Sequence, residues 1–265
     1  MKLSYRLKST LPACIAVALA LLAFGSVCRP AYAGPPFITD DPEPVELHHY
    51  EFYISSLYSG DKAGYSTTAP HVELNYGAAN NLQLHIIAPM VLARPFGGST
   101  QYGYGDTELG AKYRFVQETK SSPQVGVFPL VELPTGDASR GLGSGQTAFF
   151  LPVWIQKSWG PWMSYGGGGY WSNPGIGNQN YWFTGWLLQR QITKRLAVGG
   201  EIFYLTASAV GGGSRTGVNL GGTYDFDEGH HLLFSAGDDI HGSGRGMAYL
   251  GYQWTWGEKK PEPAK

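Results

Sequence analysis

The stretch Asp106-Thr107-Glu108-Leu109-Gly110-Ala111-Lys112-Tyr113-Arg114-Phe115 alternates between two kinds of side chain. Its even-numbered positions carry every charged residue, and its odd-numbered positions carry mostly apolar ones. Successive side chains of a β-strand point to opposite faces, so alternation with a period of two is typical of a strand with one polar and one apolar face. Positions 106–115 therefore predict such a strand.

The same alternation recurs along the chain and predicts twelve strands. The connections after odd-numbered segments are longer and rich in Gly and Ser, whereas most of those after even-numbered segments are tight. Long loops on one rim and short turns on the other are typical of outer-membrane barrels, and an even strand count puts both termini on the short-turn, periplasmic side. The predicted strands lie near 47–58, 68–77, 82–92, 106–115, 124–133, 146–157, 163–171, 181–190, 196–206, 216–226, 231–238 and 246–256, and the longer connections span 59–67, 93–105, 134–145, 172–180, 207–215 and 239–245.

The apolar face of these segments carries no charged residue, as in Leu109, Ala111 and Tyr113. A soluble barrel could bury such a face inward, so alternation alone does not decide. Two features favour a membrane: Tyr and Trp cluster toward segment ends, as in interfacial girdles, and Gly is common on the opposite face. We therefore predict an all-β fold, a single closed antiparallel transmembrane β-barrel over residues 47–256, in the bacterial outer membrane.

Both ends of the chain predict segments outside the barrel. Residues 1–33 have the charged start, apolar run and Ala31-Tyr32-Ala33 cleavage pattern of a signal peptide, which would also remove both cysteines. Residues 34–46 form a Pro-rich segment that we expect in the periplasm, with Asp40 and Asp41 solvated. Residues 257–265 are expected to form a disordered, charged tail. Three prolines inside predicted strands, Pro89, Pro129 and Pro152, predict bulges or breaks.

Composition excludes several other classes of protein. Charged residues are 15% of the chain, and the formal net charge is −1, so no basic surface for nucleic acid is indicated. Without residues 1–33 the chain keeps 15 basic and 20 acidic residues and is acidic. The expected partners are outer-membrane lipid, a small permeant of unknown identity, and the barrel-assembly machinery, which would read the aromatic strand ending at Trp256.

The polar face would surround the lumen. Lys112 and Arg114 are expected to pair with neighbouring carboxylates, because unpaired buried charges are costly. Two interpretations stay open: a structural network that stiffens the barrel, or a polar constriction that selects permeants. The predicted polar belt comprises Glu73, His85, Glu108, Lys112, Arg114, Glu132 and Glu201.

Apolar residues also fall on the inward face, mostly in the half nearer the long loops. Phe128, Phe150 and Phe203 are the hypothesised apolar constriction of a permeation site for small hydrophobic or aromatic solutes. The alternative is ordinary filling of the lumen.

No cofactor or metal site is indicated. The glycine-rich run 141–145 precedes no helix, so it does not suggest a phosphate site. Asp238, Asp239 and His241 could bind a divalent cation, but an ordinary polar loop is the simpler interpretation. The pairs His48-His49 and His230-His231 likewise give only a weak metal signal.

Several stretches resemble the family of outer-membrane transporters named for the MetA pathway of phenol degradation. The resemblance spans nearly the whole mature chain and implies an outer-membrane barrel that passes small hydrophobic or aromatic compounds. It rests on 35–44 (PPFITDDPEP), 105–115 (GDTELGAKYRF), 133–137 (LPTGD), 141–145 (GLGSG), Gly200-Glu201 and the aromatic last strand.

The sequence is compatible with four functions to different degrees. A channel or passive transporter is favoured, followed by a structural barrel with a blocked lumen and a soluble periplasmic lipid-binding barrel. An enzyme is not expected: a lipid-facing hydrolase needs a Ser–His pair at the membrane edge, whereas His71 and His85 fall on the inward face and no strand histidine is predicted to point outward.

Overall fold

A computed structural model describes residues 35–258, so the predicted signal peptide and the last seven residues lie outside the described part. Twelve antiparallel strands form a closed barrel, because the first strand pairs with the last (His49↔Gly257 to Gly60↔Gly246). The strands are β1 (His49–Asp61), β2 (Gly64–Ala79), β3 (Leu82–Pro95), β4 (Gln101–Tyr104 and Thr107–Val116), β5 (Gln124–Val127 and Leu130–Leu133), β6 (Ala148–Trp159), β7 (Trp162–Ser172), β8 (Tyr181–Gln191), β9 (Leu196–Leu205), β10 (Arg215–Asp225), β11 (His230–His241) and β12 (Gly246–Gly257).

The predicted strand number and fold class are confirmed, although β4 and β5 are each interrupted. Two of the connections predicted to be long are much shorter. Residues 93–105 reduce to 96–100, because β3 continues to Pro95 and β4 begins at Gln101. Residues 59–67 form no long loop, because β1 and β2 continue to Asp61 and Gly64 and leave only Lys62 and Ala63 between them. Gly64 has φ +137°, a backbone conformation that side-chain-bearing residues rarely adopt, and this allows the tight reversal.

The in-strand prolines coincide with the interruptions. Pro129 lies in the break of β5, as predicted. Pro89 and Pro152 sit in continuous strands but face breaks in a neighbour. Pro89 accepts a hydrogen bond from Gly105 N (2.9 Å) at the break in β4, and Pro152 is opposite the break at Phe128-Pro129. A proline has no backbone N–H to donate, so a missing ladder partner beside it costs little.

The apolar face points away from the barrel axis. Leu220, Leu151 and Trp182 are 74%, 65% and 59% exposed, whereas the polar side chains of the other face are buried. Such an exterior suits lipid rather than water. No helix in the described range is long and apolar enough to cross a membrane.

Candidate functional site

The segment before β1 lies inside the barrel. Thr39 and Asp41 have no exposed surface, so the prediction that Asp41 is solvated is wrong, whereas Asp40 keeps 24% of its side chain exposed and pairs with Lys112. The segment crosses the lumen from β11, where Ser235 Oγ donates to Pro36 O (2.6 Å), to β3, where Gln83 Oε1 accepts from Val45 N (3.0 Å). The segment belongs to no strand ladder, so side chains of the wall serve as partners for its backbone groups, including the N–H groups of Ile38, Thr39 and Val45.

Lys112 holds the middle of this segment. Its Nζ donates to Asp40 Oδ1 (2.9 Å) and Asp41 Oδ2 (3.2 Å), and it lies 4.9 Å from the centroid of the Phe128 ring. The pairing predicted for Lys112 is confirmed. Its carboxylates come from the N-terminal segment rather than from neighbouring strands, because the alternation of β4 points Lys112 into the lumen.

Glu201 fixes the segment from the opposite wall. Its two carboxylate oxygens accept hydrogen bonds from Ile38 N (2.9 Å) and Thr39 N (2.8 Å), and Oε1 also accepts from Asn219 Nδ2 (2.6 Å). Thr39 packs where β8 has Gly185, at which a Cβ atom would overlap Thr39 Oγ1. Hydrogen bonds to a charged acceptor are stronger than neutral ones, so Glu201 contributes substantially to holding the segment.

Glu43 binds the segment to the ends of β5 and β6 that lie near the short-turn rim. Its Oε2 accepts from Gln124 Nε2 (3.1 Å) and Gln156 Nε2 (3.0 Å). Arg114 Nη1 lies 3.8 Å from Glu43 Oε1 and donates to Gln124 Oε1 (2.9 Å). Arg114 therefore pairs as predicted, again with the N-terminal segment.

The structure brings together three further residues of the predicted polar belt. His85 Nε2 lies 3.0 Å from Glu108 Oε1, and its Nδ1 lies 2.6 Å from Asn75 Oδ1. Asn75 Nδ2 in turn donates to Glu73 Oε1 (2.8 Å). Glu132 is opposite Glu108 in the β4–β5 ladder and forms no ion pair with another described residue. The belt is thus four groups, around Lys112, Arg114, His85 and Glu201, with Glu132 apart.

A cavity of about 600 Å³ remains in the lumen beside the N-terminal segment. Its apolar wall includes Phe128, Leu130, Phe203 and Leu205, and its polar side includes Glu73, His85 and Glu108. A volume of this order accommodates a small organic molecule.

The three predicted constriction residues have different positions. Phe128 and Phe203 border the cavity, whereas Phe150 does not. Phe150 stacks on Trp171 (ring centroids 4.7 Å apart) and lies edge-on to Phe183 (6.2 Å) within a packed aromatic cluster that fills one side of the lumen. Phe128 and Phe203 belong to the same cluster and also border the cavity, whereas Phe150 only fills the lumen. The role of these residues as a permeation constriction stays a prediction.

The weak metal candidates have other contacts. Asp239 accepts from Arg215 Nε (3.1 Å) and Ser243 Oγ (3.1 Å), and no group of three or more potential ligands for a metal exists within residues 35–258. The expectation that no strand histidine points outward is wrong, because β11 begins at His230, whose ring contacts Tyr252 and stacks near Trp254. The described contacts of His230 include no serine, so they do not form the Ser–His pair that a lipid-facing hydrolase needs.

No protein-family model matches this sequence, and no curated protein matches it significantly. Solved structures with a similar fold include the COG4313 outer membrane channel from Pseudomonas putida F1 (TM-score 0.68, 13% identity, 85% of this chain and 100% of that chain) and the KdgM porin (0.54, 12%, 77% and 99%). The translocator domain of autotransporter NalP from Neisseria meningitidis is also similar (0.50, 10%, 78% and 87%). At these identities the likeness establishes the fold.

The closed barrel with its apolar exterior defines an outer-membrane β-barrel protein of the bacterial envelope. Within that class, this chain is a twelve-stranded barrel whose lumen holds its own N-terminal segment and a cavity.

Proposed function

We propose that this protein is a passive channel for small solutes with an apolar or aromatic body. The observation that carries the proposal is the luminal cavity of about 600 Å³, walled by Phe128, Leu130 and Phe203. Apolar walls favour a solute that loses its hydration cheaply, whereas ions and sugars need continuous polar contacts. The similar folds named as a channel and a porin support the same class of function.

A second candidate is a structural barrel with a blocked lumen. It is favoured by the N-terminal segment, which bonds to opposite walls through Lys112 and Glu201 and fills the space beside the cavity. The two candidates differ in one property, because only the channel moves solutes across a bilayer.

Uptake by proteoliposomes separates them. In liposomes whose outer leaflet is lipopolysaccharide, which apolar solutes cross slowly, the full chain should admit a small neutral aromatic alcohol, such as 2-naphthalenemethanol, faster than protein-free liposomes of the same composition do. Leu130→Trp, which fills the cavity wall, should slow this uptake severalfold, whereas Leu220→Trp on the lipid-facing side should leave it unchanged. Uptake no faster than in protein-free liposomes would favour the structural barrel.

We also propose that membrane lipid covers the exterior and that the assembly machinery reads the last strand. The outward Trp254 and Trp256 rings lie 4.5 Å apart at its end. Trp256→Ser should lower the amount of protein inserted in cells without changing the heat-dependent gel shift of the inserted fraction. Unchanged insertion would contradict recognition of this aromatic end.

A further inference from the structure

A second cleft, of about 670 Å³, opens at the long-loop rim. It is bounded by the β1–β2 turn, the ends of β3 and β4, and residues 139–141 of the loop between β5 and β6. Ser59 borders both this cleft and the luminal cavity, so the two spaces adjoin. A solute entering from this rim therefore meets the cleft before the cavity.

Arginine dominates the charge of the cleft. Arg94, Arg140 and Arg245 border it, with Asp61 as the carboxylate among the bordering residues. Arg245 Nη2 pairs with Asp61 Oδ2 (2.9 Å). Neither Arg94 nor Arg140 forms an ion pair within residues 35–258, and the cleft therefore carries an excess of two positive charges.

Two hydrogen bonds fix the orientation of the Arg140 guanidinium. Its Nε donates to Gln101 Oε1 (3.0 Å) and its Nη2 donates to Tyr102 O (3.0 Å). The loop that carries it is fastened by Asp106, whose carboxylate accepts from Gly136 N (2.9 Å) and Ser144 N (2.6 Å). A guanidinium fixed in this way loses little side-chain entropy when it binds an anion.

The nearest acidic residue in the loop is turned to another partner. Asp137 accepts hydrogen bonds from Ser139 N (3.0 Å) and Ser139 Oγ (2.6 Å), and the bond from Ser139 is the main reason that the pKa of Asp137 lies below its usual value. Asp137 does not border the cleft. The charge of Arg140 also lowers the pKa of Asp137, but the Arg140 guanidinium donates to Gln101 and Tyr102 instead, and its remaining N–H donors are available.

Farther into the lumen, Arg215 is already neutralised, because its Nε pairs with Asp239 Oδ1 (3.1 Å). Arg215 borders the luminal cavity, with its Cζ 5.5 Å from the centroid of the Phe203 ring. Beyond it, the polar side of the cavity carries Glu73 and Glu108, which would repel an anion. Positive charge thus lies at the mouth, apolar surface follows, and negative charge lies deepest.

We propose that the cleft captures amphipathic organic anions, with a carboxylate on Arg94 and Arg140 and an apolar body directed toward the luminal cavity. The proposal rests on the proposed channel function and assigns it a class of solute. The planar guanidinium matches a carboxylate in two parallel hydrogen bonds. The adjoining apolar wall distinguishes this ligand from a free inorganic anion, which would gain nothing from Phe203.

Binding to the detergent-solubilised full chain tests the proposal with two probes that share one ring system. 2-Naphthoate should bind about tenfold more tightly than 2-naphthalenemethanol, as expected for a charge-assisted pair. Arg94→Gln with Arg140→Gln should abolish this preference, and Arg94→Gln alone should reduce it. The Arg94 side chain is exposed and has no described hydrogen bond, so its single substitution should leave the fold intact. Lys62→Gln, a basic residue of the same rim outside the cleft, should retain the preference.

Three results would overturn the proposal: equal binding of both probes, an unchanged preference in the double variant, or competition by inorganic phosphate as effective as that by naphthoate. Uptake of the neutral alcohol separates its failure from failure of the channel function. If uptake persists without the anion preference, only the capture site is wrong. If uptake fails while the preference holds, the site stands and the channel function is wrong.

Discussion

Lys112 Nζ and Asp41 Oδ2 lie 3.2 Å apart inside the barrel, with 4% and 0% of the respective side chains exposed. They are 71 residues apart in the chain, so this contact joins the N-terminal segment to the wall. Asp40 provides a second carboxylate to the same ammonium group. Charges buried this deeply are tolerated only as a pair, which makes Lys112 the strongest determinant of the segment's position.

Lys112→Met should release the segment, because it leaves two carboxylates without their cation. Breaking a buried pair in this way costs roughly 3–5 kcal/mol. The measurement is labelling of Thr39→Cys by a water-soluble maleimide, in a chain whose Cys14 and Cys28 are replaced by Ala. Thr39 is fully buried, so labelling should be slow in this background and much faster after Lys112→Met.

Lys157→Met is the matched control, since Lys157 pairs with Glu118 at the short-turn rim (3.0 Å) with 31% of its side chain exposed. It should leave labelling slow. Equally slow labelling in Lys112→Met would show that the segment is held without this pair.

Thr39→Val should be neutral or should stabilise the fold by up to about 1 kcal/mol. Thr39 Oγ1 is buried and has no hydrogen-bond partner among the described residues, so replacing the hydroxyl by a methyl removes a desolvated polar group. Ser235→Ala should instead destabilise the fold. Ser235 Oγ donates to Pro36 O (2.6 Å), and loss of this hydrogen bond should lower the free energy of unfolding by about 1 kcal/mol. Urea unfolding in detergent measures both, and a clear loss in Thr39→Val would reveal a partner for that hydroxyl.

Phe150 and Phe203 belong to one packed cluster, but only Phe203 borders the cavity, so their substitutions should differ in their effect on transport. Phe150→Ala removes a ring from the packed cluster and should cost roughly 3–5 kcal/mol while changing uptake little. Phe203→Ala enlarges the cavity and should raise the uptake of bulky neutral aromatic solutes. Parallel measurements of unfolding and of proteoliposome uptake check the split, and a larger change in uptake for Phe150→Ala than for Phe203→Ala would contradict it.

Local alternation was sufficient to predict the wall. Leu109 points outward and Lys112 inward because a strand repeats every two residues, and tertiary contacts reinforce that period rather than oppose it. The break at Pro129 was likewise predictable from the missing backbone donor. The cross-strand stack of Phe150 on Trp171 needs the register of β6 against β7, which the alternation does not specify.

The N-terminal segment could not be placed from its own sequence. Residues 35–46 have no periodic apolar face, and their charged and proline residues are usual on surfaces. Burial of Asp41 becomes favourable only because Lys112 supplies its countercharge. The rest of the segment is held because Glu201 accepts from its backbone, and Gln124 and Gln156 donate to Glu43. One signal was available: Lys112 and Arg114 were predicted to face inward and needed countercharges, and four carboxylates, Asp40, Asp41, Glu43 and Glu46, precede the first strand.

Leu220→Arg tests the orientation of the whole barrel. Leu220 lies in the middle of β10, is 74% exposed and points away from the lumen, so in a bilayer its replacement by Arg should cost about 2–4 kcal/mol. Val210→Arg is the matched control, because Val210 is also 71% exposed but lies in the connection between β9 and β10, outside the strands. Reversible unfolding from lipid bilayers measures both. Equal and small effects would mean that water, rather than lipid, surrounds Leu220, and the barrel would then be a soluble one.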